Sequence, residues 1–274
     1  MKAILENVRA KTPLVHFITN YVTVNDVANM MLACGGSPIM SDEAEDVEDI
    51  TTICNALVIN IGTLNKRTIE SMIIAGKKAN ELGHPVILDP VGAGASKLRT
   101  ETTFRLLKEV RFAVIRGNIS EIKTVYSGSG STKGVDADVD DAVTKDNLSE
   151  TAAFAKELSR TTGAVIAITG AIDIVADKDR AYAIENGVAD MARITGTGCM
   201  LDGVIAGYLA ANVDNPLYAA AVAVAAEGLC GEIAAKRMYD FNGGTSSLRT
   251  YLIDAMDHLD GDMLEKGAKI EEVL

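Results

Sequence analysis

Tryptophan is absent from the 274 residues, and seven Tyr and five Phe are the whole aromatic complement. The core must therefore be built from Leu, Ile, Val and Ala. At 48% hydrophobic, the chain has enough of them for one large domain. Cysteine is sparse: Cys34, Cys54, Cys199 and Cys230 form no C-x-x-C pair, and His16, His84 and His258 are equally scattered. That spacing excludes a zinc motif and a disulfide framework, and it fits a reducing cytoplasm. Positive charge is also in deficit. Against 38 Asp and Glu there are 26 Lys and Arg, and the net charge of -12 speaks against nucleic acid or an anionic membrane as a partner. Residues 1–9 mix charged and apolar positions and show no signal-peptide apolar core. The Ala-rich run around Val222 is followed by Glu227, Glu232, Lys236 and Arg237, which reads as a buried helix rather than a membrane span. Two nucleotide signatures are missing as well. No G-x-x-x-x-G-K-[ST] occurs, and no expected strand runs into G-x-G-x-x-G.

What is present is a regular alternation of buried strands and helices. Leu14 to Ile18, Ala56 to Ile61, Pro85 to Asp89, Phe112 to Arg116 and Val165 to Gly170 are short apolar runs of the kind that is covered on both faces. Helical periodicity separates them, over Asn65 to Leu82, Arg99 to Glu109 and Glu150 to Arg160. Asp173 to Ala176 and Arg180 to Glu185 read as a hairpin, and three helices follow from Cys199 onward. The pattern predicts an α/β fold: a mostly parallel central sheet in a three-layer sandwich, with helices on both faces. No linker or repeat interrupts it, so residues 1–274 are expected to form a single domain, with 127–147 an exposed loop rich in Gly and Asp.

In such a sheet, ligands bind at the C-terminal ends of the strands. The polar residues expected there are Asp89, Arg116, Asn118 and Thr169. Beyond them lies Thr195-Gly196-Thr197-Gly198-Cys199, a small-residue loop that opens into a helix. Helix N-termini carry unpaired N–H groups and partial positive charge, so Gly196, Thr197, Gly198 and Cys199 are expected to form an anion hole. Arg116 would add a cation and Thr169 a hydroxyl. Asn118 and Glu121, three apart at a helix start, face one way and with Asp89 are expected to hold a hydrated Mg²⁺, which prefers one or two carboxylates plus waters and phosphates. Cys199, at a helix N-terminus, is where a thiolate would be stabilised. Asn25 or Thr23 is expected to cap the helix that follows the first strand.

The motifs Asn60-Ile61-Gly62-Thr63-Leu64, Asp89-Pro90-Val91-Gly92-Ala93-Gly94, Arg116-Gly117-Asn118, Ala167-Ile168-Thr169-Gly170 and Thr195–Cys199 occur in this order, after a Thr19-Asn20…Asn25 start. Together they resemble the hydroxyethylthiazole kinases, thiamine-salvage members of the ribokinase-like fold. The resemblance runs from about Pro13 into the C-terminal helices and departs from the family in the 127–147 loop. It implies transfer of the ATP γ-phosphate to the primary alcohol of 4-methyl-5-(2-hydroxyethyl)thiazole. It implies ATP contacts from Arg116 and Thr169, a thiazole pocket lined by Asn25, Met40, Gly196, Gly62 and Thr63, and metal service by Asp89 and Glu121. Cys199 falls where the wider group usually places an Asp general base. The resemblance further implies a homotrimer with sites shared between subunits.

Three alternatives stand beside this reading. A kinase of the same fold acting on hydroxymethylpyrimidine is disfavoured by Cys199 and Met40, because a soft, apolar pocket suits a neutral sulfur heterocycle. A cysteine-dependent hydrolase would need a His base beside Cys199. A nucleotide sensor without chemistry would have no use for carboxylate metal ligands.

Overall fold

The computed structural model describes residues 1–127 and 142–273. Most of the expected 127–147 loop therefore lies outside the described residues. Among those described, nine strands form one sheet in the order β2-β1-β3-β4-β5-β6-β7-β8-β9. The strands are β1 (Leu14–Ile18), β2 (Ser37–Met40), β3 (Ala56–Asn60), β4 (Val86–Asp89), β5 (Val114–Asn118), β6 (Val165–Thr169), β7 (Asp173–Ala176), β8 (Ala181–Ile184) and β9 (Ile270–Glu272). The first six in this order pair in parallel, and β7, β8 and β9 close the far edge antiparallel.

The parallel part is connected by helices that fall on two faces. On one lie α1 (Lys2–Lys11), α2 (Val24–Cys34), α8 (Thr197–Ala211), α9 (Pro216–Asp240), α10 (Thr245–His258) and α11 (Gly261–Gly267). On the other lie α3 (Val47–Ile53), α4 (Lys66–Leu82), α5 (Lys97–Glu109), α6 (Ile119–Ser127) and α7 (Leu148–Thr162). Strand residues alternate between the two cores. Val58 and Ile87 face the α8–α9 side, and Leu57, Ile59 and Leu88 face the α4–α5 side. This is why the strands read as unbroken apolar runs. The longest helix among the described residues, α9, has 83% of its most apolar window buried inside the molecule, as the reading of the Val222 run anticipates.

Several elements differ from expectation. β5 spans Val114–Asn118, two residues later than the apolar run, so Arg116 lies within the strand rather than ending it. α5 begins at Lys97 because the Ser96 hydroxyl accepts the Arg99 N–H at 3.3 Å. Thr23 occupies the cap position of α2, yet neither it nor Asn25 caps the helix with its side chain. α11 and β9 were not anticipated; they fold back so that Lys269 N–H reaches the Asn186 side-chain carbonyl at 2.7 Å.

Candidate active site

The parallel strands deliver their C-terminal ends to one rim, and the N-terminus of α8 points at it. Asn60 and Asp89 are register partners at the ends of β3 and β4, and Asn118 and Thr169 at the ends of β5 and β6. Gly196 starts the helix with φ +92°, and a side chain there would also strike Thr23. The first intrahelical bond is Met200 N–H to Gly196 C=O at 2.8 Å. The N–H groups of Thr197, Gly198 and Cys199 precede it and have no acceptor within the helix. Gly198 lies against the Arg116 guanidinium, so close that a Cβ would stand 2.6 Å from Nη2. The expected anion hole thus has a cation packed directly beneath it.

Arg116 is 6% exposed and sits among carboxylates. Its Nε donates to Asp202 Oδ1 at 2.9 Å, and its Nη2 lies 3.2 Å from Asp89 Oδ2. Asn60 Nδ2 joins the cluster, 2.6 Å from Asp89 Oδ2, 3.4 Å from Asp202 Oδ2 and 3.3 Å from Cys199 Sγ. Asn20 Nδ2 reaches Cys199 Sγ at 3.2 Å and Asn60 Oδ1 at 3.1 Å. Asn20 Oδ1 in turn accepts the N–H groups of Val22 and Thr23 and the Thr23 hydroxyl. The loop after β1 is thereby fixed to the floor of the site.

Two buried acids share one guanidinium, and this excess of negative charge governs the titrations. Burial raises Asp202, against the pull of Arg116. Burial, then the charges of Asp89 and Asp202, pushes the Cys199 thiol up to about 11. The expected stabilised thiolate is therefore corrected: Asp89 and Asp202 oppose the helix N-terminus. Glu121 accepts the N–H groups of Gly92 at 2.8 Å and Asn118 at 2.9 Å, and burial with the nearby Asp89 raises it to about 7. His16 is no base for Cys199, since Thr51 and the Ser41 carbonyl hold both its ring nitrogens at 2.9 Å.

The remaining expected residues spread along the rim. Thr169 is half-buried, and its hydroxyl donates to the Gly117 carbonyl at 3.4 Å. Gly62 N–H donates to Asn60 Oδ1 at 2.9 Å, and Thr63 Oγ1 accepts the Tyr21 N–H at 3.3 Å, tying the loops after β1 and β3 together. Met40 ends the edge strand β2, beside Phe17 of β1. Asn25 is exposed on the first turn of α2 and bonds Asn29, apart from the Cys199 cluster. The sequence reading missed Asn20, Asn60 and Asp202 as parts of this network. Asp202 carried a signal, because it stands three residues after Cys199 and so shares its helix face.

A divalent cation fits the carboxylates of this rim. Asp89 Oδ1 is buried without a hydrogen-bond partner, and the local charge excess is negative. Asp89, Asp202 and Cys199 also place donor atoms within 4.8 Å of one another. A hard cation such as Mg²⁺ prefers the oxygens, and Cys199 is the softer, protonated member.

Known proteins carry the same chain pattern. The Hydroxyethylthiazole kinase family profile matches residues 5–262. A hydroxyethylthiazole kinase of Clostridium acetobutylicum is 59% identical over 271 residues, covering 99% of each chain. The solved structure of a hydroxyethylthiazole kinase protein from Pyrococcus horikoshii superposes with a TM-score of 0.88 at 34% identity, over 100% of this chain and 98% of the other. A ribokinase-like superfamily protein from Enterococcus faecalis shares the fold, with a TM-score of 0.60 at 15% identity over 94% and 95% of the two chains. A sheet whose strand ends meet a free helix N-terminus, matched at this length and identity, makes the chain a ribokinase-like phosphotransferase that belongs to the hydroxyethylthiazole kinase family.

Proposed function

We propose that the protein transfers the γ-phosphoryl group of ATP to the primary alcohol of 4-methyl-5-(2-hydroxyethyl)thiazole, for thiamine salvage. The observation that carries this reading is the Arg116 guanidinium packed under Gly198, below three N–H groups that lack helical acceptors. A phosphoryl group in flight spreads its charge over its equatorial oxygens. Fixed donors aimed at those oxygens supply most of the catalysis. Gly196, Thr197, Gly198 and Cys199 form that anion hole, and Arg116 and Thr169 contact ATP. Met40, Asn25, Gly62, Thr63 and Gly196 line the thiazole pocket.

Cys199 is the catalytic residue nearest the alcohol. Its thiol is protonated at neutral pH, while Asn20 and Asn60 donate to its sulfur. It therefore orients the alcohol and takes little of its proton, which a loose transition state tolerates. Asp89 and Glu121 hold Mg²⁺, which when bound screens the charge of the ATP phosphates. The chain works as one domain, in the cytoplasm, as a homotrimer in which Asn25 and Met40 face a neighbouring subunit's site.

Phosphorus NMR tests the reading. The protein is given Mg-ATP with the thiazole alcohol in one tube and hydroxymethylpyrimidine in another. A new phosphomonoester signal with the thiazole alone is the expected result. A signal with the pyrimidine alone would overturn the pocket assignment and leave the phosphate site standing.

A further inference from the structure

A guanidinium carries five N–H donors in a rigid fork, and the acceptors that take some of them decide which remain for a ligand. In Arg116 the division is sharp. Nε is engaged by Asp202 Oδ1 at 2.9 Å. Nη2 is buried without a hydrogen-bond partner, although it lies within ion-pair distance of Asp89. The Nη edge lies against Gly198, with the site of a Cβ 2.6 Å from Nη2 and 2.8 Å from Nη1. Asp202 is fully buried on α8, three residues after Cys199, and its second oxygen meets Asn60 Nδ2 at 3.4 Å. That carboxyl is therefore held at both oxygens.

We infer that Asp202 is a positioning residue for phosphoryl transfer: by taking Nε of Arg116 it turns the Nη edge toward the α8 N-terminus and leaves Nη2 for a phosphate oxygen. The inference rests on Arg116 contacting the nucleotide phosphates, as proposed above. It assigns work to a residue that touches neither substrate. Asp202 acts on the phosphate side through its 2.9 Å bond to Arg116 Nε, and it meets the Cys199 side only through the longer 3.4 Å contact with Asn60 Nδ2. A counter-charge that merely neutralised a buried arginine would alter stability and leave the balance between the two substrates untouched.

Kinetics of D202A, D202N, R116K and the double variant R116K/D202A separate these cases, with each Michaelis constant and the dissociation constant of Mg-ADP measured on the full chain. D202A is expected to lower kcat/KM for ATP by about 100-fold, as for loss of one fixed transition-state donor, with thiazole KM unchanged within about twofold. D202N keeps an oxygen for Nε but loses the carboxylate's charge, so its loss is expected to lie between about threefold and about tenfold. In the R116K background, which has no fork to orient, D202A is expected to add less than about threefold, the non-additivity of residues acting as a unit. Equal losses in both backgrounds, or a folded D202A with wild-type kinetics, would overturn the inference. If D202A does not fold, D202N takes its place. Loss in the arginine background alone then supports the inference, and equal loss or none in both sinks it. Should R116K itself leave ATP kinetics and Mg-ADP binding unchanged, the phosphate role of Arg116 fails, and the inference fails with it.

Discussion

Cys199 shows how a residue's neighbours outweigh its place in a helix. A thiol at a helix N-terminus is ordinarily acidified, but here burial and two carboxylates raise it to about 11. Two units above its ordinary 9.0 means about 100-fold less thiolate at neutral pH. Alkylation by iodoacetamide at pH 7 is accordingly expected to run about 100-fold slower than for a free thiol. The kcat profile between pH 6 and 9 should show no thiol inflection, and one near pH 8 would contradict the raised value. Cys199→Ala is expected to keep turnover within about 100-fold of wild type, since general-base assistance has an upper range of this order and Cys199 supplies little of it. Gly198 makes the complementary case. A Cβ there has no room beside the Arg116 guanidinium, so Gly198→Ala must displace the cation or the helix start. Displacements of about 1 Å in a phosphoryl-transfer site cost about 100-fold in rate. The prediction is a loss of that order in kcat with the circular dichroism spectrum unchanged, and wild-type kcat would show the contact to be slack.

At the scale of elements, α4 is held at its start by a reciprocal cap. Asn65 Oδ1 accepts the Thr68 N–H at 3.0 Å, and Thr68 Oγ1 accepts the Asn65 N–H at 3.2 Å. Asn65→Ala is expected to cost about 1 kcal/mol in urea unfolding, with the m-value unchanged. α9 carries the opposite kind of feature, an acid inside an apolar helix. Glu227 is 2% exposed, its Oε2 has no partner, and burial raises its carboxyl well above the ordinary 4.5, against the pull of Arg116. The folded state then holds a proton that the unfolded state releases. Its stability contribution is full below pH 4.5 and is lost as pH rises toward the folded value, by about 1.4 kcal/mol per pH unit. Glu227→Gln, which has no proton to lose, should match wild type in thermal midpoint near pH 4 and exceed it by a margin that grows as the pH rises above 4.5. A constant difference across that range would refute the buried neutral carboxyl.

These elements also show what was legible beforehand. β3 and β6 are legible as continuous apolar runs, and α4 by its helical periodicity. The apolar run puts β5 two residues early, because Phe112 and Ala113 are as apolar as the strand yet precede its first paired residue, Val114. β9 was invisible, since Ile270-Glu271-Glu272 has neither alternation nor an apolar run and pairs only because β8 offers an edge. In the site, Asp89, Arg116 and Cys199 stood out because polar residues punctuate apolar strands or open a helix. Asn20, Asn60 and Asp202 did not. Their partners across the site are 29 to 179 residues away in the chain, and no local pattern records such a bond.

At the scale of the whole molecule, part of the exposed apolar surface gathers at one edge of the sheet. β2 is the parallel edge of the sheet among the described residues, and its four residues are all half-buried. The nearby loop after β1 exposes Tyr21 at 79% and Val22 at 59%, and α2 exposes Leu32 at 56%. Met40 and Asn25, proposed for the thiazole pocket, belong to these same elements. An active site with one wall on the sheet's outer edge is open to water on that side, and phosphoryl transfer requires water to be shut out. A second copy covering β2 and the Tyr21–Val22 loop would close it, and a closed ring of three would close all three sites equally. Sedimentation velocity is therefore expected to give a species three times the 28.9 kDa chain mass. Tyr21→Glu, which places a charge on the most exposed aromatic of the loop, should shift that species toward monomer. Specific activity should fall in step with the trimer fraction as either protein is diluted. A monomer with full specific activity would refute the shared site, and a trimer whose activity survives Tyr21→Glu would move the interface to another face of the molecule.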